Sequence, residues 1–132
     1  FIKSLIWNKG NKIMGQAYMS QFEYILFFRK EKFKKINNCG ASDIIDIKNI
    51  KTKDIQGKNI HDTEKPIGLY KILIENSSLE NEIVVDPFSG SNNCQFACME
   101  TNRYFIGSEL DKEYFDKATE RLEAFRSQTT LF

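Results

Sequence analysis

Proline is scarce in this 132-residue sequence: Pro66 and Pro87 are the only two, and they are not adjacent. Any chemistry that depends on a Pro-Pro turn is therefore missing from these residues. Histidine occurs once, as His61, and cysteine three times, as Cys39, Cys94 and Cys98. One histidine and three uneven thiols make neither a Cys/His zinc site nor a disulfide framework. Cys94 and Cys98 lie four apart on an expected helix, which suits small buried packing in a reducing compartment. No run of 18 apolar residues exists, so a spanning helix is not expected. The first residues carry no signal-peptide pattern, and a cytoplasmic location is expected. The glycine-rich G-x-G-x-x-G fingerprint is also missing, which disfavours a nucleotide-binding oxidoreductase.

What is present is ordinary in bulk and uneven in arrangement. Hydrophobic residues at 41% and charged residues at 28% suit a soluble globular chain, one domain or part of one. The net charge of +1 conceals two halves. Residues 1–60 hold 12 Lys and Arg against 5 Asp and Glu, whereas residues 61–132 hold 7 against 13. The basic half can meet a phosphate backbone and the acidic half a cationic small molecule, or both can be solvated surface.

The most informative stretch runs from Asn81 to Leu110. Glu82-Ile83-Val84-Val85 is a β-branched run without alternation, as expected of a strand buried on both faces of a parallel sheet. Asp86-Pro87-Phe88-Ser89-Gly90-Ser91 ends it, with Gly90 free to turn sharply and approach a ligand. Asn92 or Asn93 can cap a helix through Cys94, Ala97 and Cys98. Tyr104-Phe105-Ile106-Gly107 reads as a second buried strand, closed by Ser108-Glu109. An acid about 20 residues beyond the turn is where a β-α-β nucleotide site places its ribose-binding carboxylate.

The acid-Pro-Phe-x-Gly-Ser loop resembles motif I of the amino-group DNA methyltransferases. His61-Asp62-Thr63-Glu64-Lys65-Pro66 resembles their motif X, and Ile106 to Asp111, with Tyr114, Ala118, Arg121 and Leu122, resembles motif II and the helix after it. The order X, I, II is that of the β class. The resemblance implies an α/β, Rossmann-like S-adenosylmethionine-dependent methyltransferase fold, here incomplete and representing its C-terminal part. It further implies that Asp86, Phe88, Gly90 and Ser91 line the cofactor and that Glu109 accepts hydrogen bonds from the ribose hydroxyls. Thr63 and Lys65 are assigned to the methionine end, with His61 as a support. Without the resemblance, Asp86 and Glu109 read as strand-end acids that satisfy nearby backbone N–H groups, and Asp62 or Thr63 as a simple helix cap. The family's loop usually continues Gly-Ser-Gly-Thr, where this chain has Gly90-Ser91-Asn92-Asn93. Asn tolerates left-handed φ, so the turn can survive.

Upstream, Leu5-Ile6-Trp7 and Phe22 to Phe28 read as two strands, pairing antiparallel at a sheet edge, with Gly10 to Ser20 as a loop between them. This segment resembles motifs VII and VIII, which lie beside the pocket for the target base. Trp7, Tyr18 and Phe22 are either core and loop packing or stacking aromatics. Arg29, Lys30, Lys32, Lys34 and Lys35 form a basic stretch and are candidates for phosphate contact with double-stranded DNA. Asp43 to Asp46 reads as a short extended piece. Past Pro66, the spacing of Ile67, Tyr70 and Ile74, with Leu69 and Leu73 beside them, predicts a helix packed on the sheet. The final helix starts at Asp111 as N-cap and buries Tyr114, Ala118, Leu122 and Phe125.

The family's catalytic motif is an acid, Asn or Ser followed by Pro-Pro-aromatic, and this chain has none. With Phe1 rather than Met at its start, the chain is expected to be the C-terminal portion of a longer enzyme: a single domain fragment with a basic part at 1–60 and the cofactor motifs at 61–132. The implied reaction is methyl transfer from S-adenosylmethionine to the N6 amino group of adenine in DNA. The alternatives are N4 of cytosine and a non-catalytic cofactor- or DNA-binding module. A restriction endonuclease partner belongs to the same picture. A half-built sheet would expose an apolar edge, so self-association is expected.

Overall fold

The structure is a computed structural model that describes residues 1–30, 34–51, 53, 57, 59 and 64–129. Among the described residues, five strands and three helices follow one another as β1 (Lys3–Ile13), β2 (Ser20–Phe27), β3 (Ile44–Asp46), α1 (Ile67–Ser77), β4 (Ile83–Asp86), α2 (Asn93–Glu100), β5 (Tyr104–Gly107) and α3 (Lys112–Thr129). They form two sheets, one ordered β2-β1-β3 and one made of the parallel pair β4-β5.

The aromatic and β-branched run from Phe22 to Phe27 pairs antiparallel with β1, from Lys3 opposite Phe27 to Asn8 opposite Phe22. The stretch from Gly10 to Ile13, expected as loop, continues β1 instead. Gly10 adopts φ +73°, and the register slips between Asn8 and Ile13, so the strand absorbs the glycine as an irregularity. Of the expected extended piece from Asp43 to Asp46, Ile44 to Asp46 is strand and Asp43 is a bend, and the strand pairs parallel with β1, with Trp7 opposite Ile45. That leaves β1 in the middle of its sheet and β2 at an edge.

Helix α1 holds the two sheets together by being apolar on two sides. Leu69 and Leu73 pack with Trp7, Ile45, Leu5, Ile25 and Ile47 of the first sheet and its flank. Ile67, Tyr70 and Ile74 pack with Cys94, Ala97 and Cys98 of α2 and with Val84 and Phe105 beneath them. Trp7 belongs to the core: it is 1% exposed, and its indole N–H donates to the Ile47 carbonyl at 2.8 Å. Tyr18, by contrast, is wholly exposed and Phe22 is 42% exposed. Helix α1 stops at Ser78, whose N–H and hydroxyl both donate to the Ile74 carbonyl. Asp111 caps α3 by accepting from the N–H groups of Glu113 and Tyr114 at 2.9 and 3.2 Å.

One expectation about burial does not hold. β4 and β5 are covered on one face only. Ile83, Val85, Tyr104 and Ile106 point away from the helices and are 57–64% exposed. Val84 and Phe105, between them, face the cluster of α1 and α2. A β-branched run without alternation matches a strand made for burial on both sides, and the described residues supply helices to one side. Among the described residues, no helix is long and apolar enough to cross a membrane.

Candidate functional site

At the carboxyl ends of β4 and β5 the chain makes two turns that are laced to each other. Asp86 ends β4 and accepts the Phe88 N–H at 3.1 Å. The Ser89 N–H donates to the Ser108 carbonyl at 2.9 Å, and the Ser108 hydroxyl donates back to the Pro87 carbonyl at 2.9 Å. The Gly90 N–H donates to Glu109 Oε2 at 2.8 Å, and the Asp111 N–H donates to Oε1 of the same carboxylate at 2.9 Å. The crest of the loop is left-handed on both sides of Ser91, with φ +50° at Gly90 and +66° at Asn92. Gly107 has no room for a side chain: a Cβ there would lie 2.4 Å from the Phe105 ring and 3.3 Å from Ser89 Cβ. The bare strand end lets the loop lie directly on it.

Asn92 stands before α2 but does not cap it as expected. Its left-handed backbone presents its carbonyl to the N–H groups of Gln95 and Phe96, and its side-chain amide turns to the Gln95 side chain. Asn93 is not a cap either. It is buried, and its amide does other work. Nδ2 donates to Glu64 Oε1 at 2.6 Å and to the Lys65 carbonyl at 2.8 Å, while Oδ1 accepts from Arg121 Nη1 at 2.6 Å. Arg121 also donates to the Ser91 carbonyl at 3.2 Å and lies over the Phe96 ring at 4.2 Å. Burial pulls the Arg121 guanidinium below its usual value, and the neighbouring Glu64 carboxylate opposes that. Sequence reading missed this network. Its signal was an arginine in phase with the apolar stripe Ala118, Leu122 and Phe125, since a cation on a buried stripe needs an anion.

Burial, and after it the negative charge of Asp86, pushes the Tyr70 phenol well above the usual tyrosine value. The Cys94 thiol is pushed up by burial first, then by Cys98 and Asp86. Both groups therefore stay protonated around Asp86. Cys94 and Cys98 are buried packing residues, as their spacing suggested. No group of metal-ligating side chains occurs among the described residues.

The structure thus brings together Asp86, Gly90, Ser91 and Glu109. Phe88 sits on the same loop and is 87% exposed. Beside the loop a cleft of 390 Å³ is lined by Ser89, Asn92, Gly107, Glu109, Phe115 and Leu122. Asp86 and Glu109 both satisfy local N–H groups through carboxylate oxygens, which accept from N–H and hydroxyl donors alike. Lys65 lies on the loop before α1, and its ammonium is 3.1 Å from Glu23, which also takes the buried Lys9 at 3.3 Å. Thr63 and its support His61 lie outside the described residues.

The basic candidates lie elsewhere. Arg29 stacks over the Phe27 ring at 5.6 Å. Arg29 and Lys35 line an apolar cleft of 430 Å³ with Phe27, Ile36 and Leu73, remote from the glycine turn. Lys30 and Lys34 are exposed, and Lys32 is outside the described residues.

Comparison with known proteins follows the same line. The sequence profile of a family described as DNA methylase matches residues 1–120. Type II methyltransferase M.HpaI of Haemophilus parainfluenzae is 47% identical over 64 residues, which is 48% of this chain and 20% of that protein. Type II methyltransferase M.HinfI of Haemophilus influenzae is 29% identical across 95% of this chain and 40% of its own length. Among solved structures, the crystal structure of the M1.HpyAVI–SAM complex aligns with a TM-score of 0.69 at 33% identity, over 90% of this chain and 60% of that one. The cytosine-N4-specific PvuII DNA methyltransferase shares the fold, with a TM-score of 0.70 at 17% identity. The chain spans well under half the length of these curated relatives.

Proposed function

Because the chain belongs to the DNA methylase family, whose profile covers residues 1–120, we propose that it forms the S-adenosylmethionine-binding part of an amino-group DNA methyltransferase. The whole enzyme would methylate adenine N6 in double-stranded DNA. The observation that carries this reading is the hydrogen bond from the Gly90 N–H to Glu109. It joins a tight turn and an acid at the carboxyl ends of two parallel strands, the usual place for a nucleotide-like ligand in an α/β sheet.

The residues present suit the cofactor. The Glu109 carboxylate is the kind of acceptor to which ribose hydroxyls donate. The turn at Gly90 and Asn92 is already in the left-handed conformation that a close backbone approach needs. The Asp86 carboxylate supplies negative charge for a cationic ligand, while Ser91 and the exposed Phe88 stand beside it. Thr63 and Lys65 are assigned to the amino-acid end. When bound, the cofactor supplies a methyl group on a sulfonium, ready for in-line displacement. The protein residues hold and orient it, which is the larger part of such catalysis. No residue of this chain is assigned to the target amine, because Pro66 and Pro87 form no Pro-Pro-aromatic motif.

Arg29, Lys30, Lys32, Lys34 and Lys35 are the proposed phosphate contacts, and a cytoplasmic setting with a restriction partner belongs to the same reading. M.HpaI and M.HinfI each bear the description Type II methyltransferase. The N4-cytosine alternative shares this cofactor half, so analysis of the methylated base in DNA treated with the full enzyme separates the two. The module alternative predicts cofactor binding without turnover.

The test is calorimetric titration of the 132-residue chain with S-adenosylmethionine, alongside Glu109→Ala and Glu109→Gln. Hydrogen bonds to a charged group contribute about 1.5–3 kcal/mol each, so the alanine variant should bind at least about tenfold more weakly. The glutamine variant, which keeps an acceptor, should fall between. Equal affinity in all three would remove Glu109 from the site.

A further inference from the structure

Glu64, Asn93 and Arg121 are given no role at the cofactor, yet their buried network ties the glycine turn to three segments around it. Glu64 and Lys65 come from the approach to α1, Ser91 from the crest of the glycine turn, Asn93 from the first turn of α2 and Arg121 from α3. We propose that Asn93 and Arg121 are positioning residues that hold the segment at Glu64–Lys65 against the Ser91 turn, and so set the place of the amino-acid end of the cofactor. This rests on the cofactor reading and deepens it.

The orientation of Asn93 is determined by its neighbours. Glu64 Oε1 and the Lys65 carbonyl only accept here, and the Arg121 guanidinium only donates. Asn93 therefore acts as a neutral adapter between an anion and a cation. Aspartate in its place would face the Glu64 carboxylate with like charge and lose both donated bonds. The Arg121 plane is fixed from below by Phe96 at 4.2 Å, and Phe96 is itself fixed edge-to-face by Phe125 at 5.4 Å. From that base Arg121 reaches the Ser91 carbonyl at 3.2 Å, between the two left-handed residues of the loop.

The cost of the arrangement argues for a task beyond packing. The Glu64 side chain is 0% exposed, with Arg121 Nη1 at 3.7 Å. Burying a carboxylate and a guanidinium gains little over burying apolar groups of the same volume. What such a network provides is a single geometry, and the geometry here is the spacing between two loops that face one ligand.

The experiment measures affinity for S-adenosylhomocysteine and for methylthioadenosine, which lacks the amino-acid end. It uses the wild-type chain, Arg121→Met, Arg121→Lys, Asn93→Asp and the charge-neutral pair Glu64→Gln with Arg121→Met. Urea midpoints are taken on each. We expect Arg121→Met and Asn93→Asp to weaken S-adenosylhomocysteine about tenfold or more while methylthioadenosine changes less than about twofold. The paired variant should recover stability relative to Arg121→Met but not S-adenosylhomocysteine affinity. Should Arg121→Met fail to fold, Arg121→Lys carries the test, with the same selective loss at smaller size. Equal losses on both ligands, recovery of affinity together with stability, or unchanged affinity in every variant would each overturn the proposal. A wild-type chain that binds neither ligand would instead remove the cofactor reading on which it rests.

Discussion

Asn92 is the residue where the turn departs from the glycine that the family usually has, and the backbone shows why the exchange is tolerated. Its φ of +66° and ψ of +21° are left-handed, a region asparagine enters at low cost and most side chains do not. Its amide also reaches Gln95, one turn along α2. Asn92→Ala should therefore lower stability by about 1 kcal/mol, since alanine pays for the left-handed backbone. Asn92→Gly should stay within about 0.5 kcal/mol of wild type, because glycine loses the side-chain contact but fits the backbone. Urea unfolding of the three proteins checks the order. Alanine matching glycine would mean that the left-handed turn is not maintained in solution. The conformation was readable from the residue type, since a Gly-Ser-Asn-Asn crest admits few alternatives. Asn93, next to it, was not readable. Its partners Glu64, Lys65 and Arg121 are 28 or 29 positions away, and no local pattern announces them.

At the scale of elements, the first sheet is tied to the approach of α1 by one carboxylate. Glu23 on β2 takes the buried Lys9 of β1 and Lys65 before α1. Partial burial pushes its carboxyl up, but the two lysines, Lys65 ahead of Lys9, outweigh that and hold it below the ordinary value of 4.5. A carboxylate with a depressed folded value stabilises the fold at pH above the ordinary value, and the contribution is lost as pH falls through the folded one. Glu23 is 39% exposed, so solvent and salt reduce the size of the effect. The urea midpoint of wild type should exceed that of Glu23→Gln by a constant amount between about pH 6 and 8. The difference should shrink as pH falls below 4.5. A difference that persists undiminished in acid would show that Glu23 acts by packing and not by charge. The elements themselves were legible where hydrophobic spacing is simple, as in α1 and α3. They were misjudged at Gly10 to Ile13, because a glycine at positive φ usually ends a strand and here only deforms one.

For the whole molecule, the helices gather on one side and leave an apolar surface on the other. Ile83, Val85, Tyr104 and Ile106 form an open face of the β4-β5 pair. Phe22, Tyr24 and Leu26 of β2, with Ile44 of β3, do the same for the first sheet. The sequence showed strands built for burial, but which face would be covered depends on what packs there, and no single strand carries that information. Eight large apolar side chains at 42–65% exposure make a surface that water does not favour, beside strand edges with unpaired backbone groups. The isolated chain is therefore expected to self-associate through this surface. Sedimentation velocity over a concentration series should show mass above that of the 15.4 kDa monomer. Val85→Lys with Tyr104→Lys should shift the distribution toward monomer, because two ammonium groups on the open face have no partner across a copy of the same surface. Both residues point away from α1 and α2, so the variant keeps the core around Val84 and Phe105 and should retain its affinity for S-adenosylmethionine. A clean monomer for the wild-type chain at high concentration would mean that this surface does not bring copies together.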